Sequence, residues 1–167
     1  MTVRALATAC LLLAAPVAAR ADACDALAAK VIRVTGASVA GRNGPLAVFR
    51  AADAERMSLD CRAPRRMVLG ALEREPAPAY FVLIGLAAQA LTGARPAEVE
   101  TLALVLHQDS LLAGAPRQGA AGPAALRCET GPRADGLAGE STVCVLAPTR
   151  PATPRRKAGL SRKAAAG

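Results

Sequence analysis

The chain has 167 residues, of which 42 are alanine, 14 glycine and 12 proline, enough for one modest domain with short additions and too few for a second core. It has no tryptophan, one tyrosine, two phenylalanines and one histidine, which excludes the stacking platforms of carbohydrate or single-stranded nucleic-acid grooves and any multi-histidine metal site. The formal charge of +8 is carried by the two ends: residues 1–21 and 148–167 hold eight basic residues and no acid, while residues 22–147 set 13 basic residues against all 13 acidic ones, so the high isoelectric point says nothing about the domain itself.

Residues 1–21 have the layout of a cleaved export signal: Arg4, an apolar stretch from Ala5 to Ala15, Pro16, and the small-residue site Ala19-Arg20-Ala21 before Asp22. The apolar stretch falls short of the roughly 20 residues needed to span a bilayer. From Asp22 to Thr35, Cys24, Leu27, Val31 and Val34 recur at helical spacing, and Gly36 ends the run. Gly41 to Pro45 reads as a loop, followed by strands at Leu46–Arg50, Met57–Cys61 and Arg66–Leu72. The second alternates most clearly, with Met57, Leu59 and Cys61 on one face and Ser58 and Asp60 on the other.

Tyr80–Leu91 is the most apolar stretch outside the signal, and its length is that of a buried core helix closed by Thr92-Gly93. A second helix starts at Pro96, with Glu98 and Glu100 near its positive end. Ala113–Pro123, rich in glycine and proline, reads as a loop, and Leu126–Thr130 with Thr142–Ala147 as a closing hairpin. The order predicts a single small α+β domain over residues 22–147, with a mostly antiparallel sheet of about five strands and helices packed on one face. Pro148 to Gly167 carries Arg150, Arg155, Arg156, Lys157, Arg162 and Lys163 with one large apolar residue, Leu160. Such a segment buries too little surface to offset its ordering entropy, so a disordered basic tail is expected.

Cys10 leaves with the signal, and the mature chain keeps Cys24, Cys61, Cys128 and Cys144. Export places them where disulfides persist. Cys128 and Cys144 are symmetric about residue 136, inside a turn-rich stretch, so a hairpin about Asp135-Gly136 sets them opposite each other. Cys24 is then left to Cys61. The chain has no close cysteine pair of the kind zinc sites and thioredoxin-like motifs use. Acylation of Cys24 is disfavoured by Asp22 two residues before it.

His107, Asp109 and Ser110 supply the residue types of a hydrolase triad, but on one helix Asp109 points about 200° away from His107. The histidine borders the apolar face of Val99, Leu102, Ala103 and Leu106 and reads as a flanking residue. No Gly-x-Ser-x-Gly elbow is present. Glu129, Asp135 and Glu140 offer oxygen ligands around the last turn without the alternation of an EF-hand loop. Arg62, Arg65 and Arg66 form the densest basic cluster of the domain, a candidate for anion or surface binding together with the six basic residues of the tail. No cofactor and no metal site is expected.

These features predict an exported protein, periplasmic or secreted, that acts without catalysis as an accessory or binding module of the cell envelope. Its partner would be an unspecified envelope protein, with anionic membrane or envelope polymer met through the tail in preference to nucleic acid, and with no transmembrane span. The alternatives are a small periplasmic hydrolase using His107 and a membrane-tethered structural protein using Tyr80–Leu91. Intact mass of the exported protein should give a chain beginning at Asp22; a retained Met1, or a diacylglycerol mass on Cys24, would overturn the export reading.

Overall fold

The computed structural model describes residues 15–149. Most of the expected signal and the six basic residues of the expected tail lie outside them. In chain order the elements are α1 (Ala15–Thr35), β1 (Ser38–Asn43), β2 (Leu46–Ala51), β3 (Ala54–Asp60), β4 (Arg66–Ala71), α2 (Pro78–Thr92), α3 (Pro96–Ala113), β5 (Arg117–Ala121), β6 (Ala124–Pro132) and β7 (Glu140–Pro148). The strands make one antiparallel sheet in the order β1-β2-β3-β4-β7-β6-β5. Two meanders, β1–β4 and β5–β7, are joined through their last strands.

The α+β class holds, and the sheet has seven strands where the sequence predicts about five. The additional strands, β1 and β5, are its two edges; β5 lies within a stretch read as loop, and β1 runs from the unassigned Ser38–Ala40 into one. Neither has a buried stripe: β1 is almost wholly exposed and β5 is Arg-Gln-Gly-Ala-Ala. Backbone pairing with β2 and β6, which sequence periodicity does not report, recruits them. The last strand also runs to Pro148, one residue past the expected domain end, and Thr149 N–H donates to the carbonyl of Pro123 at 2.9 Å.

Alternate residues of each central strand face the helices. Ala47, Phe49, Met57, Leu59, Met67, Leu69, Leu126, Cys128, Cys144 and Leu146 are all buried, and the residues between them make the opposite face of the sheet, on which no described helix packs. On the covered face α2 lies between α1 and α3, and for that reason it is apolar on nearly every side. Its small residues allow close approach: Ala87 and Ala88 are fully buried, and at Gly85 an added Cβ would sit 2.6 Å from the carbonyl oxygen of Pro96. The alanine content thus serves tight helix packing as well as composition. Gly93 closes α2 in the left-handed region at φ 80°, where its N–H caps Gln89 O.

Two disulfides tie this layer down. Cys24 of α1 bonds to Cys61 just after β3, and Cys128 bonds to Cys144, its direct partner across the β6–β7 ladder with Cα atoms 4.2 Å apart. A staple of this kind contributes about 2–4 kcal/mol. Among the described residues no helix is long and apolar enough to cross a membrane. Gly85→Ala should destabilise the protein by roughly 1–3 kcal/mol, because backbone and not a flexible side chain must give way, whereas Gly41→Ala, whose methyl meets nothing within 4 Å, should be close to neutral. Urea denaturation of the two variants checks the contrast.

Candidate functional site

The one buried polar cluster among the described residues spans α3, β6, β7 and the loop after β4. His107 is 6% exposed, Thr130 7%, and Ser110 and Thr142 are fully buried. His107 Nδ1 lies 3.1 Å from Thr130 Oγ1, which lies 3.1 Å from Thr142 Oγ1. Thr142 Oγ1 in turn lies 3.0 Å from the carbonyl oxygen of Glu73 and 3.1 Å from that of Arg74. Ser110 Oγ accepts the backbone N–H of Thr130 at 2.8 Å. Beside the cluster, Tyr80 Oη donates to the carbonyl of Leu69 at 3.0 Å and approaches that of Thr142 at 3.4 Å, and burial pushes the phenol far above its ordinary range.

Proton counting fixes the direction of this chain. Carbonyl oxygens only accept, so Thr142 spends its single hydroxyl proton on Glu73 and Arg74. Thr130 must then donate to Thr142, and His107 must donate from Nδ1 to Thr130. The neutral ring is therefore the Nδ1–H tautomer with a bare Nε2. Burial holds the imidazole below the usual histidine range, opposed by the carboxylate of Glu75.

This corrects the reading of His107 as a flanking residue. It is buried, its ring centroid 5.3 Å from that of Phe81 with the planes tilted by 48°, and it is anchored to a strand 23 residues away in sequence. A hydroxyl partner on another element is what the helical projection could not show. Asp109 does point away, to the exposed side of the helix. Ser110 is close by in sequence but has no exposed surface, and its oxygen is engaged by the Thr130 amide, so the pair lacks the open geometry of a nucleophile and its base.

The basic cluster sits in the β3–β4 turn, with an acid the sequence reading left out. Asp60 accepts Arg62 Nε at 3.0 Å and Nη2 at 2.9 Å, takes the Arg62 backbone N–H at 3.1 Å, and lies 3.7 Å from Arg66 Nη2. The Arg62 side chain, then its amide, holds the Asp60 carboxyl below its usual range. Arg65 has no ion pair among the described residues. Because Met67 pairs with Leu146, Arg65 and Arg66 lie beside the end of β7, where the chain leaves the sheet. That juxtaposition, made by strands some 80 residues apart, carried no local signal.

The carboxylates of the last hairpin are taken up by arginines: Glu129 by Arg127, Asp135 by Arg133 and Glu140 by Arg74. Among the described residues no three potential ligands gather in a metal-binding group. A shallow depression of about 510 Å³ lies on the uncovered sheet face, lined by Gln118, Ala120, Ala125, Arg127, Val145 and Ala147 among others. No known family model matches the chain, and no characterised protein or solved structure proves similar to it.

The lowered histidine value has a definite sign. The unfolded chain takes up a proton near pH 6.5 and the folded one only below it, so stability falls as pH drops from about 6.5 through the folded value. Asp60 and Asp135, both held below the usual carboxylate range, act only near or below pH 4 or so. Urea midpoints should therefore decline between pH 7 and 5 in the wild type and much less in His107→Gln, and nitrogen-resolved NMR of the neutral ring should find the proton on Nδ1.

Proposed function

We propose that the protein is an exported accessory or binding module of the cell envelope, periplasmic or secreted, which attaches to an anionic surface through its basic C-terminal segment. The observation that carries this reading is the division of charge: a domain of zero formal charge over residues 22–147, followed by six basic residues and no acid from 148 to 167. The register supports it, because Pro148 and Thr149, where that segment begins, lie next to Arg65 and Arg66 of the β3–β4 turn. The four cysteines among the described residues, all paired, suit an oxidising compartment.

Attachment of this kind is electrostatic. Each basic residue near an anionic bilayer contributes about 1 kcal/mol, and salt removes the effect over a Debye length of about 8 Å. A hydrolase built on His107 is the weaker reading, since Nε2 belongs to a ring 6% exposed and Ser110 is sealed.

Truncation after Thr149 keeps the Thr149–Pro123 hydrogen bond and the whole of β7. The truncated protein should lose salt-sensitive co-sedimentation with phosphatidylcholine–phosphatidylglycerol vesicles and keep its thermal midpoint. Equal sedimentation of the two forms would overturn the proposal.

A further inference from the structure

The uncovered face of the sheet differs in charge from the helical side. By strand register it presents Val48, Val68, Val143 and Val145 near its centre, with Val48 38% exposed. Around them stand Arg50, Arg56, Arg66 and Arg127, all exposed, and only two acids, Asp60 and Glu129. Both acids are already paired, Asp60 with Arg66 and Arg62, Glu129 with Arg127.

Arg50 and Arg56 have no ion pair among the described residues. They flank the Phe49–Met57 pair on β2 and β3, where the register of the two strands shifts, and both are exposed. Arg56 is paired on its other side with Gly70, where an added Cβ would touch Arg56 Cβ at 3.4 Å and Val143 Cγ2 at 3.8 Å. An anionic group above this face would supply the charge partner that neither arginine has among the described residues.

The helical side also exposes apolar residues, Val82, Leu104 and Val105, but on α3 Glu100 stands one turn from Leu104 and Asp109 one turn from Val105. Charge complementarity therefore selects the sheet face. We propose that the uncovered sheet face lies against an anionic phospholipid bilayer, with Arg50 and Arg56 receiving headgroup phosphates and the valine row resting at the interfacial level. This rests on the attachment reading above and names the surface of the domain that makes the contact. An acidic polymer would satisfy the arginines and leave the valines in water.

The full mature chain, with phosphatidylcholine–phosphatidylglycerol vesicles as probe, supplies the test. Arg50→Gln/Arg56→Gln should weaken vesicle affinity by roughly fivefold or more, while Lys30→Gln/Arg33→Gln, an equal loss of charge on α1, should change it less than about twofold. The chain has no tryptophan, so one introduced tryptophan is an unambiguous reporter. Val48→Trp should be quenched by brominated lipid, and Leu104→Trp should not. Equal weakening by both charge pairs, or quenching at Leu104 instead of Val48, overturns the proposal. If truncation after Thr149 abolishes binding while Arg50→Gln/Arg56→Gln binds like wild type, the tail attachment stands and the sheet-face proposal falls. If instead the truncated chain binds undiminished and Val48→Trp is quenched, the sheet-face contact stands and the tail reading falls.

Discussion

The β6–β7 ladder is the constraint on which the rest of the molecule depends. Its nine paired positions set Cys128 opposite Cys144 and Thr130 opposite Thr142. From Thr130 the ladder holds α3 through His107 and Ser110, and from Thr142 it holds the loop after β4 through two carbonyls. Tyr80 brings α2 to the same place by way of Leu69. Slipping the register by one residue would turn Cys144, Leu146 and Thr142 to the uncovered face and undo the disulfide and the polar chain together. Covalent bond, hydrogen-bond relay and apolar burial therefore specify one register three times over.

Much of this was legible. Strong alternation located β3 and its neighbours, the helices fell within two residues of expectation at most ends, and cysteine symmetry about residue 136 identified the hairpin pairing. What failed has a common cause. The edge strands β1 and β5 bury little, so their sequences carry no period; they exist because a neighbouring strand offers hydrogen bonds. His107 shows its helical face in sequence but not the hydroxyl that fills its ring nitrogen. The basic turn was visible as three arginines, whereas its neutralising Asp60 and its position at the root of the C-terminal segment follow from pairing between β4 and β7.

The candidate functional features are unequal in kind. The histidine cluster is closed on itself, with no side-chain nitrogen or oxygen left buried without a partner among the described residues, which is how a specifying interior network behaves. Among the described residues the arginines of the uncovered face and of the β3–β4 turn are only partly compensated by acids. Interior polar groups are matched within the fold; the surplus charge is all presented outward.

The arrangement of the chain ends has a mechanical consequence. Cys24 and Thr149 leave the same end of the sheet, and the Cys24–Cys61 bond shunts any tension around residues 25–60. Load applied between the two ends would reach the start of β4 and the end of β7, which are neighbours at that end of an antiparallel pair. Their hydrogen bonds would then open one after another from Leu146 towards Thr142, as a zipper does, and not all at once in shear. The two disulfides that staple the fold thus leave the load between its ends to a single seam, the β4–β7 pair.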